Sequence, residues 1–195
     1  MRQQALGKEH PHTVVSMCNL AGVYFEQGRD SEAERLYQEA LAIPILDEMH
    51  PVRSQRLNNL AMLYFKQGRY NDAEPLLKRA LLIRRRLLGE NHPDLAFDIT
   101  LLAKLYDNQG RYSEAEPLYA EALSLRKRLL GEEHLLVAQS LNNLAWLYEN
   151  QGHYDASEAL YMKALSLSKR LLGREHLWTK TIQGSLQTVL DKKGR

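Results

Sequence analysis

Residues 57–64 read Leu-Asn-Asn-Leu-Ala-Met-Leu-Tyr, and the stretch returns at residues 141–148 as Leu-Asn-Asn-Leu-Ala-Trp-Leu-Tyr. Looser copies lie at residues 17–24 and 99–106. A Gln-Gly pair follows each copy, with glycines 40, 42 and 42 residues apart at Gly28, Gly68, Gly110 and Gly152. Histidines keep the same register at His10, His50, His92, His134 and His176. A fixed period of this kind indicates stacked copies of one supersecondary unit.

Each unit has the pattern of two helices. The first helix places Leu60, Ala61 and Tyr64 at the three-and-four spacing of one helical face. A glycine such as Gly68 ends that helix, because glycine takes the backbone conformation that a helix stop needs. The second helix ends in the same way at Gly89.

A short polar residue with a glutamate three positions later predicts a capping box at the start of every second helix. The pairs are Ser31 with Glu34, Asn71 with Glu74, Ser113 with Glu116, and Asp155 with Glu158. In such a box the polar side chain accepts from a backbone N–H, and the glutamate reaches back toward the cap.

Two irregularities carry their own predictions. Pro44 falls inside the second helix of the first unit, which should therefore kink or end early. Ser157 replaces the alanine found at the same position of the other units. Its hydroxyl should bond to a helix carbonyl.

Taken together, the pattern predicts an all-α solenoid of about nine helices and no strands, with stacked helix hairpins in a right-handed superhelix. We expect a single array over residues 1–195. Its predicted parts are the tail of a preceding repeat, four repeats, and the first helix of a fifth, terminal repeat, at residues 1–10, 11–50, 51–92, 93–134, 135–176 and 177–195.

The alanine, tyrosine and glycine series resembles the tetratricopeptide signature. The 42-residue form, with Leu-Asn-Asn-Leu-Ala, Gln-Gly-Arg-Tyr and Leu-Gly-x-x-His-Pro, is similar to the kinesin light chain repeat. The resemblance covers nearly the whole chain. It implies a concave groove, lined by the first helices, that binds a peptide, as kinesin light chain arrays bind cargo adaptor peptides. Similar bacterial repeats are usually scaffolds or sensor arms of larger signalling proteins.

The groove face of the first helices varies between units, whereas the packing positions barely change. Amides on that face suit a peptide backbone, and apolar side chains suit anchors. The resemblance makes Asn19, Asn59 and Asn143 backbone-contacting residues. Lys66 and Lys104 are predicted to meet an acidic group. The full predicted set is Asn19, Gln55, Asn58, Asn59, Met62, Phe65, Lys66, Lys104, Gln139, Asn142, Asn143 and Trp146. The alternative is that the groove aromatics pack between adjacent first helices.

The composition and charge of the chain argue against several classes of function. The net charge of +2 argues against nucleic acid as the main partner, and no apolar run approaches the roughly 18 residues of a membrane span. A single cysteine, Cys18, excludes a disulfide framework and favours a reducing, cytoplasmic setting. The histidines lie one repeat apart, too far to share one metal, and are predicted to be spacers between repeats.

Motifs of catalysis are missing from the sequence. It has neither the phosphate loop Gly-x-x-x-x-Gly-Lys nor the nucleophile motif Gly-x-Ser-x-Gly. We therefore expect no enzyme activity and no cofactor, and a protein or peptide as the partner. The recurring basic clusters, such as residues 84–86, are interpreted as cations that complement helix dipoles. A structural array that associates end to end, or a regulatory sensor arm without its own peptide ligand, remains the alternative.

Overall fold

The computed structural model describes residues 10–44 and 51–194, and over those residues it contains nine helices and no strand. In chain order they are α1 Pro11–Glu26, α2 Asp30–Ala42, α3 Pro51–Lys66, α4 Tyr70–Leu88, α5 Pro93–Asn108, α6 Tyr112–Leu130, α7 Leu135–Asn150, α8 Tyr154–Leu172 and α9 Leu177–Lys193. The helix content predicted from the repeat is confirmed.

The helices form two compact units, divided between Glu90 and Asn91. The first unit contains α1 to α4, and the second contains α5 to α9. Within each unit every helix packs on the next one along the chain, as stacked hairpins require.

Small residues mark the places where helices approach most closely. Ala61 of α3 and Ala80 of α4 are fully buried in the first unit. In the second unit a core of Val137, Tyr161 and Ile182 joins α7, α8 and α9. A single hairpin could not bury these apolar faces alone, so the neighbouring hairpin supplies the rest of each core.

Histidines cap the first helices of the units. The Nδ1 atoms of His92 and His134 accept hydrogen bonds from the backbone N–H groups of Asp94 and Leu136, at 3.2 and 3.1 Å. His10 and His176 do the same for α1 and α9. A helix start leaves N–H groups without a partner, and the imidazole satisfies one of them. These four histidines therefore have a capping role that the sequence interpretation, which made the ladder histidines spacers, did not predict. His50, the remaining histidine of the ladder, lies outside the described residues.

The predicted capping boxes are wrong. The second helices begin two residues earlier than expected, and their N-cap residues Arg29, Arg69, Arg111 and His153 make no side-chain cap bond. Three of the box glutamates instead accept hydrogen bonds from the next repeat, and Glu158 Oε2 does so from Lys193 Nζ at 2.8 Å. The Tyr64 hydroxyl donates to Glu34 Oε1 at 3.0 Å, and the Tyr148 hydroxyl donates to Glu116 Oε1 at 2.8 Å. These glutamate carboxylates therefore accept tertiary hydrogen bonds and not the backbone N–H group of a capping box.

Both irregularities behave as predicted. Helix α2 ends at Ala42 after 13 residues, whereas α4, α6 and α8 each have 19. Pro44 lies two residues after that early end. The Ser157 hydroxyl donates to the carbonyl of Ala145 on the facing helix at 2.7 Å, which confirms the predicted bond.

Candidate binding clefts

A cleft of about 410 Å³ opens in the second unit, and we call it the Lys104 cleft. Residues of α5, α6, α7 and α9 line it, in chain order Phe97, Thr100, Leu101, Lys104, Arg126, Gln139, Asn142, Asn143 and Trp178. Four predicted binding residues meet here, namely Lys104, Gln139, Asn142 and Asn143. Three of them come from one face of α7, because positions i, i+3 and i+4 of a helix are neighbours.

A smaller cleft of about 50 Å³ lies in the first unit, and we call it the Asn59 cleft. Its lining is Val15, Cys18 and Asn19 of α1 with Val52, Gln55, Arg56 and Asn59 of α3. Three predicted residues, Asn19, Gln55 and Asn59, lie in it. Gln55 and Asn59 occupy the repeat positions that Gln139 and Asn143 occupy in the Lys104 cleft. The two units thus build equivalent clefts from the same repeat positions.

The Lys104 cleft combines amides with exposed apolar surface. The side chain of Phe97 is 51% exposed at its wall, and Trp178 closes another side from α9. Asn142 and Asn143 are half-buried, so each offers donors and an acceptor from a fixed position. The arrangement can bond to a backbone and hold an apolar side chain beside it.

Two cations belong to this cleft. Arg126 is only 7% exposed, and its guanidinium donates to Ser140 Oγ at 2.6 Å and to the Ala96 carbonyl at 3.4 Å. Burial lowers the pKa of Arg126 from its usual value. Lys104 is exposed, but loss of solvent around its ammonium and, second, the charge of Arg126 lower the pKa of its side chain.

Five predicted residues lie outside both clefts. Asn58 is 4% exposed and therefore buried. The ring centroid of Phe65 lies 5.5 Å from that of Tyr70, and the Lys66 ammonium lies 4.0 Å above the Phe25 ring. The Lys66–Phe25 contact joins adjacent first helices, as the packing alternative expects, whereas Tyr70 belongs to the second helix of the same repeat as Phe65. Met62 is half-buried, and Trp146 is 50% exposed; neither lines the Lys104 cleft or the Asn59 cleft.

Two acidic residues from the predicted groove face are buried in contacts between repeats. Asp107 accepts hydrogen bonds from Asn150 Nδ2 at 3.2 Å and from the Tyr119 hydroxyl at 3.4 Å. Glu149 accepts from the Tyr161 hydroxyl at 3.1 Å. Its other oxygen accepts from Lys192 Nζ at 2.8 Å. Burial raises the pKa of Asp107. These carboxylates stack the repeats and are not presented to a ligand.

The lining residues that are absent from the predicted set include Arg56, Arg126 and Trp178. Arg126 was interpreted with its basic neighbours as a helix-end cation. The usable signal was its spacing, since it lies one turn after Ala122 and therefore on the packing face of α6. Lys127 of the same cluster fits the interpretation as a helix-end cation better, because it lies in the last turn of α6. Its Nζ pairs with Glu132 of the following loop at 3.3 Å.

Other kinds of site find no support within residues 10–44 and 51–194. No group of three His, Cys, Asp or Glu side chains there could hold a metal ion. None of the helices described is long and apolar enough to cross a membrane.

The sequence profile of the tetratricopeptide repeat family matches residues 1–44, 54–127 and 99–169. The chain belongs to the tetratricopeptide repeat family. Repeats of this family generally mediate contacts between proteins, through the extended surfaces that stacked hairpins create. No curated protein is similar in sequence to this chain at a significant level.

Solved structures share the fold. BtubC (BKLC) from P. vanneervenii aligns with a TM-score of 0.83 and 26% identity, covering 99% of this chain and 79% of that one. The TPR-like repeats of a putative kinesin light chain from P. anserina align with a TM-score of 0.82 and 26% identity, covering 95% and 89%. The apo form of RapI, at 17% identity, TM-score 0.80 and coverage of 93% and 64%, shares the fold alone. The predicted helix-hairpin solenoid of the kinesin light chain-like type is confirmed.

Proposed function

We propose that this chain is a scaffold that holds a peptide segment of a partner protein, and that the Lys104 cleft is its principal binding site. The observation that carries the proposal is the meeting of Lys104, Gln139, Asn142 and Asn143 in one cleft of about 410 Å³. A ligand pocket of a few hundred Å³ with a few convergent polar groups is the ordinary form of a binding site.

The chemistry of the lining favours an extended peptide over a small metabolite. Paired amides can donate to and accept from a main chain, which repeats one donor and one acceptor per residue. The exposed ring of Phe97 offers an apolar contact for a peptide side chain. The Asn59 cleft has amides at the same repeat positions in the other unit. A ligand with a regularly repeating backbone could bond to both sets of amides.

A binding role without catalysis fits the same residues. Neither cleft lining contains a histidine, aspartate or glutamate that could serve as a general base. The proposed function is therefore recognition of a protein, in the cytoplasm. It involves no cofactor, nucleic acid or membrane as partner.

End-to-end self-association is the less favoured alternative. Leu177 of α9 is 79% exposed, but the other exposed side chains of that helix include Gln183, Gln187 and Thr188. Such a surface offers little contiguous apolar area, which stable oligomer contacts need.

The test uses an immobilised library of random octapeptides, probed with the labelled chain. The wild type is compared with the double variant Asn142→Ala, Asn143→Ala. The control is Gln183→Ala, Gln187→Ala, which removes two exposed amides outside the cleft. We expect the cleft variant to lose roughly tenfold or more of peptide binding, since each amide contact is worth about 1 kcal/mol, and the control to bind as the wild type does. Equal binding by all three proteins would reject the site.

A further inference from the structure

A groove of about 500 Å³ lies between the second helices α6 and α8, and we call it the Lys163 groove. It is lined by residues of α6, of α8, of the loop before α7 and of α7 itself, where Val137 and Leu141 contribute. Successive residues of an α-helix are about 100° apart around its axis. Val137 and Leu141 therefore lie on the face of α7 opposite to the amides that line the Lys104 cleft. The Lys163 groove is a separate surface.

The walls of the Lys163 groove are leucines that keep part of their surface exposed. Leu123 of α6 and Leu160 and Leu167 of α8 are half-buried and pack against the core cluster that contains Val137. Leu171 lies one turn beyond Leu167 on α8 and is 42% exposed, so it continues the apolar stripe past the groove. A contiguous exposed apolar surface is a feature of sites where another molecule docks.

The Lys163 groove offers little to the backbone of an extended peptide. Among the described residues that line it, Ser166 has the only uncharged polar side chain. An extended chain carries one donor and one acceptor per residue, and these groups would lose water without gaining a partner. An α-helix bonds the same groups within itself and packs on other helices by placing its side chains between theirs. The groove therefore favours a helix as its occupant.

The charges at the rim favour one sign of charge on that helix. In the last turns of α6 and α8, Lys127 Nζ pairs with Glu132 at 3.3 Å and Arg170 Nη2 pairs with Glu133 at 3.1 Å. These four charges are matched within the protein. Lys163 is exposed and forms no ion pair with any residue that the structure describes. Its ammonium, beside the leucine wall, is complementary to a carboxylate that flanks an apolar stripe.

From these observations we infer that the Lys163 groove is a docking site for an amphipathic α-helix of a partner protein. The apolar stripe of that helix lies against Leu123, Leu160 and Leu167, and a flanking aspartate or glutamate meets Lys163. This mode of recognition, a helix laid in an apolar groove, differs from the extended peptide proposed for the Lys104 cleft. Because the two sites lie on opposite faces of α7, the inference does not depend on the proposed function.

The test uses immobilised helical peptides of about 18 residues, or five turns. All carry leucines at every third or fourth position, and two sets differ only in having Glu or Lys at the flanking positions. Retention of the labelled full chain is measured for the wild type, for Ser166→Trp, which fills the groove, and for Lys163→Glu. Both residues are exposed, so neither change disturbs the core, and circular dichroism confirms folding.

Two matched controls come from the chain itself. Ser124→Trp adds the same ring at the same repeat position of α6, outside the groove. Lys169→Glu makes the same charge reversal on α8, also outside the groove. The double variant Asn142→Ala, Asn143→Ala separates this site from the Lys104 cleft.

We expect the wild type and all three controls to retain the peptides and to prefer the Glu set by about threefold, as an ion pair at an exposed rim gives. Ser166→Trp should lower retention of both sets by about tenfold or more, because the indole takes the space of the apolar anchors. Lys163→Glu should retain the peptides but reverse the preference, so that the Lys set is held about threefold better.

Three results would overturn the inference. Retention that is the same in Ser166→Trp and in the wild type would place the peptides elsewhere, and retention lost in the Asn142→Ala, Asn143→Ala variant would assign them to the Lys104 cleft. A wild-type preference near one would remove the acidic helix as the occupant. A wild-type dimer in sedimentation that Ser166→Trp dissociates would assign the groove to a second copy of the chain.

Discussion

At the scale of single residues, the repeat tolerates only small side chains where its helices pack most closely. Ala33, Ala73 and Ala115 occupy one repeat position and are fully buried. Ser157 occupies the same position in the fourth repeat and is equally buried. Its extra oxygen is accommodated because the facing carbonyl of Ala145 accepts its proton. The sequence predicted this bond, because a single polar residue in a periodic apolar position has few other ways to be satisfied.

This contact gives a paired prediction on stability. Ser157→Ala should change the free energy of unfolding by less than about 1 kcal/mol, since the alanine of three other repeats fits there. Ala115→Leu should lower it by about 2 kcal/mol or more, because a larger side chain overpacks the helix contact. Urea unfolding followed by circular dichroism measures both. A tolerated leucine would show that the helices do not approach closely at Ala115.

The glycines that follow the second helices allow a second prediction on stability. Gly131 ends α6 with φ of 80° and ψ of 166°, a conformation that is essentially restricted to glycine. Gly131→Ala should therefore cost about 2 kcal/mol. Gly184 lies within α9 with nothing near the position of an added Cβ. Gly184→Ala should stabilise the protein by about 1 kcal/mol. The two alanine substitutions should thus shift thermal unfolding in opposite directions, and a shift in the same direction would contradict the backbone assignment.

At the scale of elements, the same two repeat positions join successive first helices by different chemistry. In the first unit Lys66 lies over the Phe25 ring. In the second unit Asn150 donates to Asp107, and Lys192 donates to Glu149. The sequence showed that these positions vary, and we interpreted the variation as selection by a ligand. In the structure these positions instead form pairs that vary together between neighbouring repeats.

The buried carboxylate of Asp107 gives a pH prediction. Burial raises the pKa of Asp107 in the folded protein. The protonated form is therefore favoured by folding, and the stability it contributes is lost as the pH rises from the unfolded value of about 3.9 through the raised native pKa. Asp107→Asn mimics the protonated group while keeping an oxygen for Tyr119.

We expect Asp107→Asn to raise the free energy of unfolding at pH 7, with a gain that shrinks as the pH is lowered toward 4. Urea unfolding at both values, for wild type and variant, measures the difference. A variant that is less stable at pH 7 and recovers at pH 4 would mean that Asp107 is held charged by its partners.

At the scale of the whole molecule, the repeat was sufficient for the fold and only partly sufficient for the site. Periodic alanines and glycines report packing and helix ends directly, so the nine helices of residues 10–44 and 51–194 followed from them. The clefts depend on which long side chains reach across from another helix. Arg126 reaches under α7 from α6, and Glu34 turns toward Tyr64 instead of its own helix start. Such choices are made between elements. The local pattern gives the helix face on which a side chain such as Arg126 lies, but not the partner it meets on another helix.

The central claim is that a peptide binds in the Lys104 cleft, against the amides of α7. The most direct measurement is a nuclear magnetic resonance titration of the ¹⁵N-labelled chain with an octapeptide selected from the library, following the side-chain amides of Asn142 and Asn143 and the indole N–H of Trp178. The account predicts saturable shifts of all three groups at one common affinity, with the exposed amides of Gln183 and Gln187 unchanged. A peptide that binds while these three resonances stay in place would contradict the account and assign its site to another surface.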